Sequence, residues 1–164
     1  MKRNLILIRH TKSSWAAPGM RDFDRPIKKD RTEDADDMAR QLNKLGLQPD
    51  LILCSPALRT KQTAEHFCNH LPYDYNKILF DMRLYESSAE DYLQVIRESD
   101  NKIETLVVIG HNPSITDFAN LFLKNKLEDM PTTAVAWLQL ENDTWEIGGT
   151  SASKLKHFLT PKTI

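Results

Sequence analysis

Three short apolar runs in this sequence are each followed at once by polar residues able to do chemistry. Leu5 to Ile8 leads into Arg9-His10-Thr11-Lys12-Ser13, Leu51 to Cys54 into Ser55-Pro56-Ala57-Leu58-Arg59, and Leu106 to Ile109 into Gly110-His111-Asn112-Pro113-Ser114. Nearly continuous apolar runs of this length suit parallel strands covered on both faces. In open parallel sheets, ligands bind outside the carboxyl ends of the strands. Two arginines and two histidines from distant parts of the chain are therefore expected on one sheet edge. Ser55 with Pro56, and Asn112 with Pro113, read as helix starts whose unpaired N–H groups favour an anion. Arg9 and Arg59 add planar, permanently charged donors that match phosphate oxygens. The ligand that fits this set is a phosphoryl group.

Imidazole is a competent nucleophile when neutral, and surrounding positive charge favours the neutral form. His10, beside Arg9 at the end of the first strand, is the candidate nucleophile. His111 is placed to donate a hydrogen bond to the transferring phosphoryl oxygens. Phosphoryl transfer rests on positioning and charge neutralisation, which these groups supply without a metal or other cofactor. The sequence of events is attack by His10, a covalent phosphohistidine, then hydrolysis. A rival nucleophile is Cys54, which with Arg59 flanks a strand-to-helix turn as in cysteine-dependent phosphatases. The four intervening residues include Pro56, which gives a loop too short and one N–H donor too few to wrap a phosphate.

The elements that must position these groups alternate along the chain. Besides the three runs, Ile78 to Phe80 reads as a short strand. Ala35, Met38, Ala39, Leu42 and Leu45 repeat at helical spacing, with Thr32 as N-cap, acidic residues in the first turn and Gly46 as the stop. A second helix is expected from Pro56 to Leu71, a third over about Ala89 to Glu98, and a fourth with Ile115, Phe118, Ala119 and Phe122 on one face. Strand alternating with helix indicates an α/β fold, a three-layer α/β/α sandwich with a mostly parallel central sheet. Ala134 to Leu140 and Thr144 to Ile147, flanking Asn142-Asp143, read as a hairpin extending that sheet. Ser13 to Lys29 lacks periodicity, and so long a loop in a compact domain is often functional.

Taken together, the three clusters, the run Ser55 to Ala64 and the segment Asp22-Phe23-Asp24-Arg25-Pro26-Ile27 resemble the histidine phosphatase (phosphoglycerate mutase-like) superfamily. The Asp22 to Ile27 segment and the short chain without a lid insertion are most similar to its SixA-type phosphohistidine phosphatases. The resemblance runs from about Leu5 to Trp137. It implies a single histidine phosphatase domain over residues 1–164 with the phosphoglycerate mutase-like fold. It makes His10 the phosphate-accepting nucleophile and places Arg9, Arg59 and His111 in the phosphate pocket. By the same resemblance Arg25 and Ser13 approach the phosphate, and Glu86 stands where phosphoglycerate mutase-like members carry a general acid. Two positions depart from the pattern: Thr11 replaces the usual Gly or Ala and must find room close to the phosphate, and Asp30 replaces a usual glycine. Asn112 stands where acid phosphatase-like members carry an aspartate, which disfavours that branch.

The expected reaction is dephosphorylation of a protein-borne phosphohistidine. Its leaving group, an imidazole nitrogen, departs more readily than an alkoxide and depends less on an acid. The alternatives are a small phosphomonoester as substrate, as in a phosphoglycerate mutase-like enzyme, and a non-catalytic phospho-binding module that would have no need of a nucleophile. The balance of 22 Lys and Arg against 23 Asp and Glu over 164 residues argues against a nucleic-acid or anionic-membrane partner. No apolar run approaches the ~18 residues of a membrane span, and the two cysteines form neither a disulfide framework nor a zinc site. His66 and His70, four apart on one helix, lack a third ligand at supporting spacing and read with His157 as structural or solvent-facing. A cytoplasmic monomer is the expectation.

Overall fold

The computed structural model describes residues 1–15 and 17–164. One six-stranded sheet is built from β1 (Lys2–Arg9), β2 (Leu51–Cys54), β3 (Leu79–Phe80), β4 (Thr105–Gly110), β5 (Val135–Glu141) and β6 (Ala152–Leu159). Their order is β3-β2-β4-β1-β5-β6. The first four run parallel, β5 adds antiparallel to β1, and β6 pairs antiparallel with β5. The helices are α1 (Thr32–Lys44), α2 (Leu58–Cys68), α3 (Ala89–Arg97) and α4 (Ser114–Asn120).

Alternation along the central strands sorts side chains between two cores. Ile6, Ile8, Val107 and Ile109 pack with Met38 and Leu42 of α1 and Phe67 of α2. Leu5, Leu7, Leu106 and Val108 pack with Tyr92 and Ile96 of α3 and with Ile115 and Phe118 of α4. The layers are therefore helix, sheet, helix, and the period of two in a strand explains why Leu5 to Ile8 of β1 and Leu106 to Ile109 of β4 are apolar without a break. The chain crosses from β1 through α1 on one face, and from β4 through α4 on the other. β1 and β4 are neighbours, so their carboxyl ends open between diverging connections, the place where such sheets bind ligands.

Several boundaries differ from the sequence reading. Thr32 is the first residue of α1, with Arg31 at the cap. Helix α2 begins at Leu58 with Ala57 as its cap, and α4 at Ser114 with Pro113 as its cap. Gly46 does end α1, with φ of +85° and with Leu47 N–H donating to Leu42 O at 3.0 Å.

The expected hairpin is also corrected. β5 pairs with β6, while Thr144 to Ile147 lies off the sheet. Trp145 and Ile147 are fully buried in the α3 and α4 core, and the indole Nε1 donates to Ile103 O at 2.8 Å. β6 carries Lys154, Lys156 and His157 on an edge strand, so it has no apolar run to betray it. The stretch from Ser13 to Lys29 includes Ala16, which lies outside the described residues. Around it the loop folds back on itself through an antiparallel bridge between Ser13 and Ile27 and a short 3-10 turn at Asp22–Asp24. No helix among the described residues is long and apolar enough to cross a membrane.

Candidate active site

The ladder of the sheet fixes the strand ends against one another. Arg9 pairs in register with Gly110, and His10 N–H donates to Gly110 O at 3.1 Å. Ser55 N–H donates to Ile109 O at 3.1 Å. Gly110 has a steric reason to be glycine: an added Cβ would sit 2.1 Å from the Tyr92 hydroxyl. That hydroxyl accepts His111 N–H at 3.0 Å and donates to Leu84 O at 3.2 Å. Tyr92 therefore holds the backbone that carries His111.

His10 is buried, and its Nδ1 lies 2.8 Å from Thr11 O. A carbonyl only accepts, so Nδ1 carries the proton and Nε2 keeps its lone pair. The crowding anticipated at Thr11 is relieved by turning its side chain into the protein. Its Oγ1 accepts from Thr133 Oγ1 at 3.0 Å, and its backbone N–H donates to Thr63 Oγ1 at 2.9 Å. Thr133, at φ +65°, directs its own N–H to the carbonyls of Arg9 and His10. A left-handed threonine is a strained residue held by its surroundings, and here it locks the end of β1.

The His111 ring lies 5.2 Å from that of His10, centroid to centroid. Ser55, a helix cap by residue type, has its Oγ 2.8 Å from His111 Nε2 and accepts Ala57 N–H at 3.3 Å. His111 Nδ1 is buried with no hydrogen-bond partner among the described residues. Arg9 Nη1 donates to Met130 O at 2.9 Å, and its Nε is likewise buried without a partner.

Arg59 and Arg25 converge on Asp22. Arg59 donates from Nη1 to Asp22 O at 2.8 Å and from Nη2 to Asp22 Oδ2 at 3.0 Å. Arg25 Nη1 reaches Asp22 Oδ1 at 3.0 Å, and its guanidinium stacks 4.2 Å from the Trp15 ring centroid. The Tyr85 hydroxyl donates to Asp22 Oδ2 at 2.7 Å. A cavity of about 400 Å³ is lined by Asp22, Arg59, Tyr85, Glu86 and His111 among others. Glu86, at φ +48°, is thus on the cavity wall. Ser13 is bridged to Ile27 in the loop and is not among the residues lining that cavity.

The electrostatics agree with this convergence. Desolvation, aided by Arg59, Arg9 and Arg25, lowers His10 to about 4 despite the Thr11 hydrogen bond. Desolvation, then His10 and Arg59, lower His111 to about 3. Both rings are neutral at physiological pH. Desolvation works to raise the Asp22 carboxyl, but hydrogen bonds from Tyr85, Arg25 and Arg59 outweigh it and hold the group at about 2. Burial pushes the Cys54 thiol up, and its Sγ points to Ser55 O at 3.2 Å. A buried, protonated thiol is a poor nucleophile, which removes the rival reading.

His66 Nδ1 and His70 Nε2 both meet Asp36 Oδ1, at 3.1 and 3.0 Å, and so tie α2 and the turn after it to α1. No cluster of three or more His, Cys, Asp or Glu suited to a metal occurs among the described residues. Three residues of the site were not anticipated as such. The sequence shows Ser55 only as a cap, while Asp22 shares a segment with Arg25 and Tyr85 directly precedes Glu86.

Comparison with known proteins bears on this geometry. Residues 5–102, more than half of the chain, match the histidine phosphatase superfamily (branch 1). An uncharacterized chloroplastic protein of Arabidopsis thaliana is 31% identical, over 98% of this chain and 79% of its own length. A crystal structure from Agrobacterium tumefaciens named for the phosphohistidine phosphatase SixA is 28% identical. It covers 97% of this chain and 98% of its own, with a TM-score of 0.82. A mycobacterial glucosyl-3-phosphoglycerate phosphatase, 16% identical over 95% of this chain and 98% of its own, shares the fold with a TM-score of 0.69.

Proposed function

Because the chain belongs to the histidine phosphatase superfamily (branch 1), we propose that it is a phosphatase working through His10, with protein-borne phosphohistidine as substrate. One observation carries the reading. His10 is neutral, has its proton fixed on Nδ1 by Thr11 O, and lies under the charges of Arg9, Arg59 and Arg25.

In the first step His10 Nε2 attacks phosphorus and the bond from phosphorus to the leaving imidazole nitrogen breaks. The leaving ring departs neutral, having been protonated at its phosphorylated form or taking a proton from solvent. His10 gains positive charge as its Nε2 is phosphorylated, and the Nδ1–H donation to Thr11 O strengthens accordingly. The guanidiniums balance the phosphoryl oxygens. In the tautomer this step needs, the Ser55 hydroxyl donates to Nε2 and the His111 proton rests on Nδ1, which donates to a phosphoryl oxygen. In the second step water attacks phosphorus, the bond from phosphorus to Nε2 breaks, and inorganic phosphate leaves with His10 restored. No step is assigned to a metal.

A second reading, hydrolysis of a small phosphomonoester, draws on Glu86 in the cavity wall, since an alkoxide leaving group needs a proton donor. The discriminating experiment offers a phosphohistidine protein and a panel of phosphomonoesters to the enzyme, with and without EDTA. Faster turnover of the phosphohistidine protein, unchanged by EDTA, supports the first reading. Preference for a monoester supports the second, and a large loss with EDTA contradicts the metal-free route.

A further inference from the structure

Asp22 places a carboxylate among the cationic groups of an anion site. Arg59 commits both terminal nitrogens to Asp22, one to the carbonyl oxygen and one to Oδ2, and Arg25 commits Nη1 to Oδ1. These are the same guanidiniums whose charges act on His10. Of the five N–H donors on each guanidinium, Asp22 takes two from Arg59 and one from Arg25, so a phosphoryl group meets cations whose charge and part of whose donor set are already engaged.

Both arginines have an anchor that does not depend on the charge of Asp22. Arg59 is buried at the start of α2 and holds the Asp22 backbone carbonyl as well as the side chain. Arg25 is stacked on Trp15, and its segment is pinned by Ser14 N–H donating to Pro26 O at 2.9 Å and by the Ser13–Ile27 bridge. Tyr85, whose hydroxyl donates to Oδ2, packs edge-on against both Phe23 and His111. The carboxylate therefore has a donor of its own to retreat to when the arginines turn to another anion.

We propose that Asp22 is an affinity-setting residue: an internal carboxylate that competes with the phosphoryl group for Arg59 and Arg25, keeping the hold on inorganic phosphate weak so that product leaves. The proposal rests on the reading above that these arginines bind the phosphoryl group. Phosphate binding becomes an exchange of one anion for another on the same donors. Asp22 acts through the two arginines and takes no part in bond making.

The test is the affinity of the full chain for inorganic phosphate and for orthovanadate, measured by titration calorimetry and as inhibition constants, in wild type, Asp22→Asn and Asp22→Glu. Asp22→Asn keeps the backbone carbonyl and a neutral side-chain acceptor and removes the charge. It is expected to bind both anions about tenfold more tightly, equivalent to about 1.4 kcal/mol, with KM lowered. Asp22→Glu is expected to return toward wild-type affinity. A gain in affinity cannot come from a damaged site, and if Asp22→Asn does not fold, Asp22→Ser removes the same charge. Unchanged or weaker anion binding in a folded charge-removing variant overturns the proposal and makes Asp22 a holder of the arginines. Wild-type protein that binds neither anion overturns instead the phosphoryl-site reading on which the proposal stands.

Discussion

The Ser55 hydroxyl oxygen lies 2.8 Å from His111 Nε2, tying the end of β2 to the end of β4. Removing it leaves a buried imidazole without its partner and frees the ring to rotate or change tautomer. Ser55→Ala is expected to lower kcat about tenfold, with thermal stability close to wild type apart from the ~1 kcal/mol of a lost hydrogen bond. Steady-state kinetics check this, and an unaltered kcat would mean that the His111 tautomer is immaterial.

Much of the site was legible because β1, β2 and β4 each end where an apolar run meets Arg9-His10, Ser55 or Gly110-His111. A strand buried on both faces announces its own end, and the sheet does the rest. The elements that escaped are those whose composition answers to a neighbour. β6 is half exposed and alternates weakly, whereas Trp145 and Ile147 look like strand residues but satisfy the core beside α3. Ser55 and Pro56 match a helix start in type, yet the Ser55 hydroxyl is taken by His111 and α2 begins at Leu58. Asp22 escaped because a carboxylate is not sought in a phosphate pocket.

Gly110 is set against the Tyr92 hydroxyl, which a Cβ would approach to 2.1 Å. Tyr92 is fully buried and cannot swing aside without disturbing His111 N–H and Leu84 O. Gly110→Ala is expected to cost about 3 kcal/mol, at the upper end of overpacking penalties. Chemical denaturation measures it; a loss under about 0.5 kcal/mol would show that the α3 side yields freely.

Acid should weaken the fold before the carboxylates titrate. His10 and His111 sit at about 4 and about 3, against about 6.5 in an unfolded chain. Between these values the unfolded state binds protons that the folded state refuses, so stability is full above about pH 6.5 and falls as pH drops toward 4. For His10 alone the loss from pH ~7 to pH ~5 is about 2 kcal/mol. His10→Gln is expected to reduce the slope of that part of the stability profile by about half in urea titrations, His111 supplying the rest; an unchanged slope would place the uptake elsewhere. Asp22, depressed to about 2, adds a further loss only below about pH 4.

Glu86 offers a test of the leaving-group argument. It lines the cavity with Arg59 and His111, where a proton donor serves an alkoxide more than an imidazole. Glu86→Gln is expected to slow phosphomonoester hydrolysis about tenfold or more while changing phosphohistidine hydrolysis by less than about threefold. Equal slowing of both substrates in parallel assays would count against the distinction.

The identity of the phosphorylated atom tests the mechanism at its root. Enzyme quenched during turnover and digested under alkaline conditions should yield a peptide with acid-labile phosphate on His10, found by mass spectrometry. His10→Ala should lose the label and turnover by on the order of 10⁴-fold or more, while Cys54→Ser keeps both. Label on Cys54 or another residue, or turnover surviving in His10→Ala, would contradict the account.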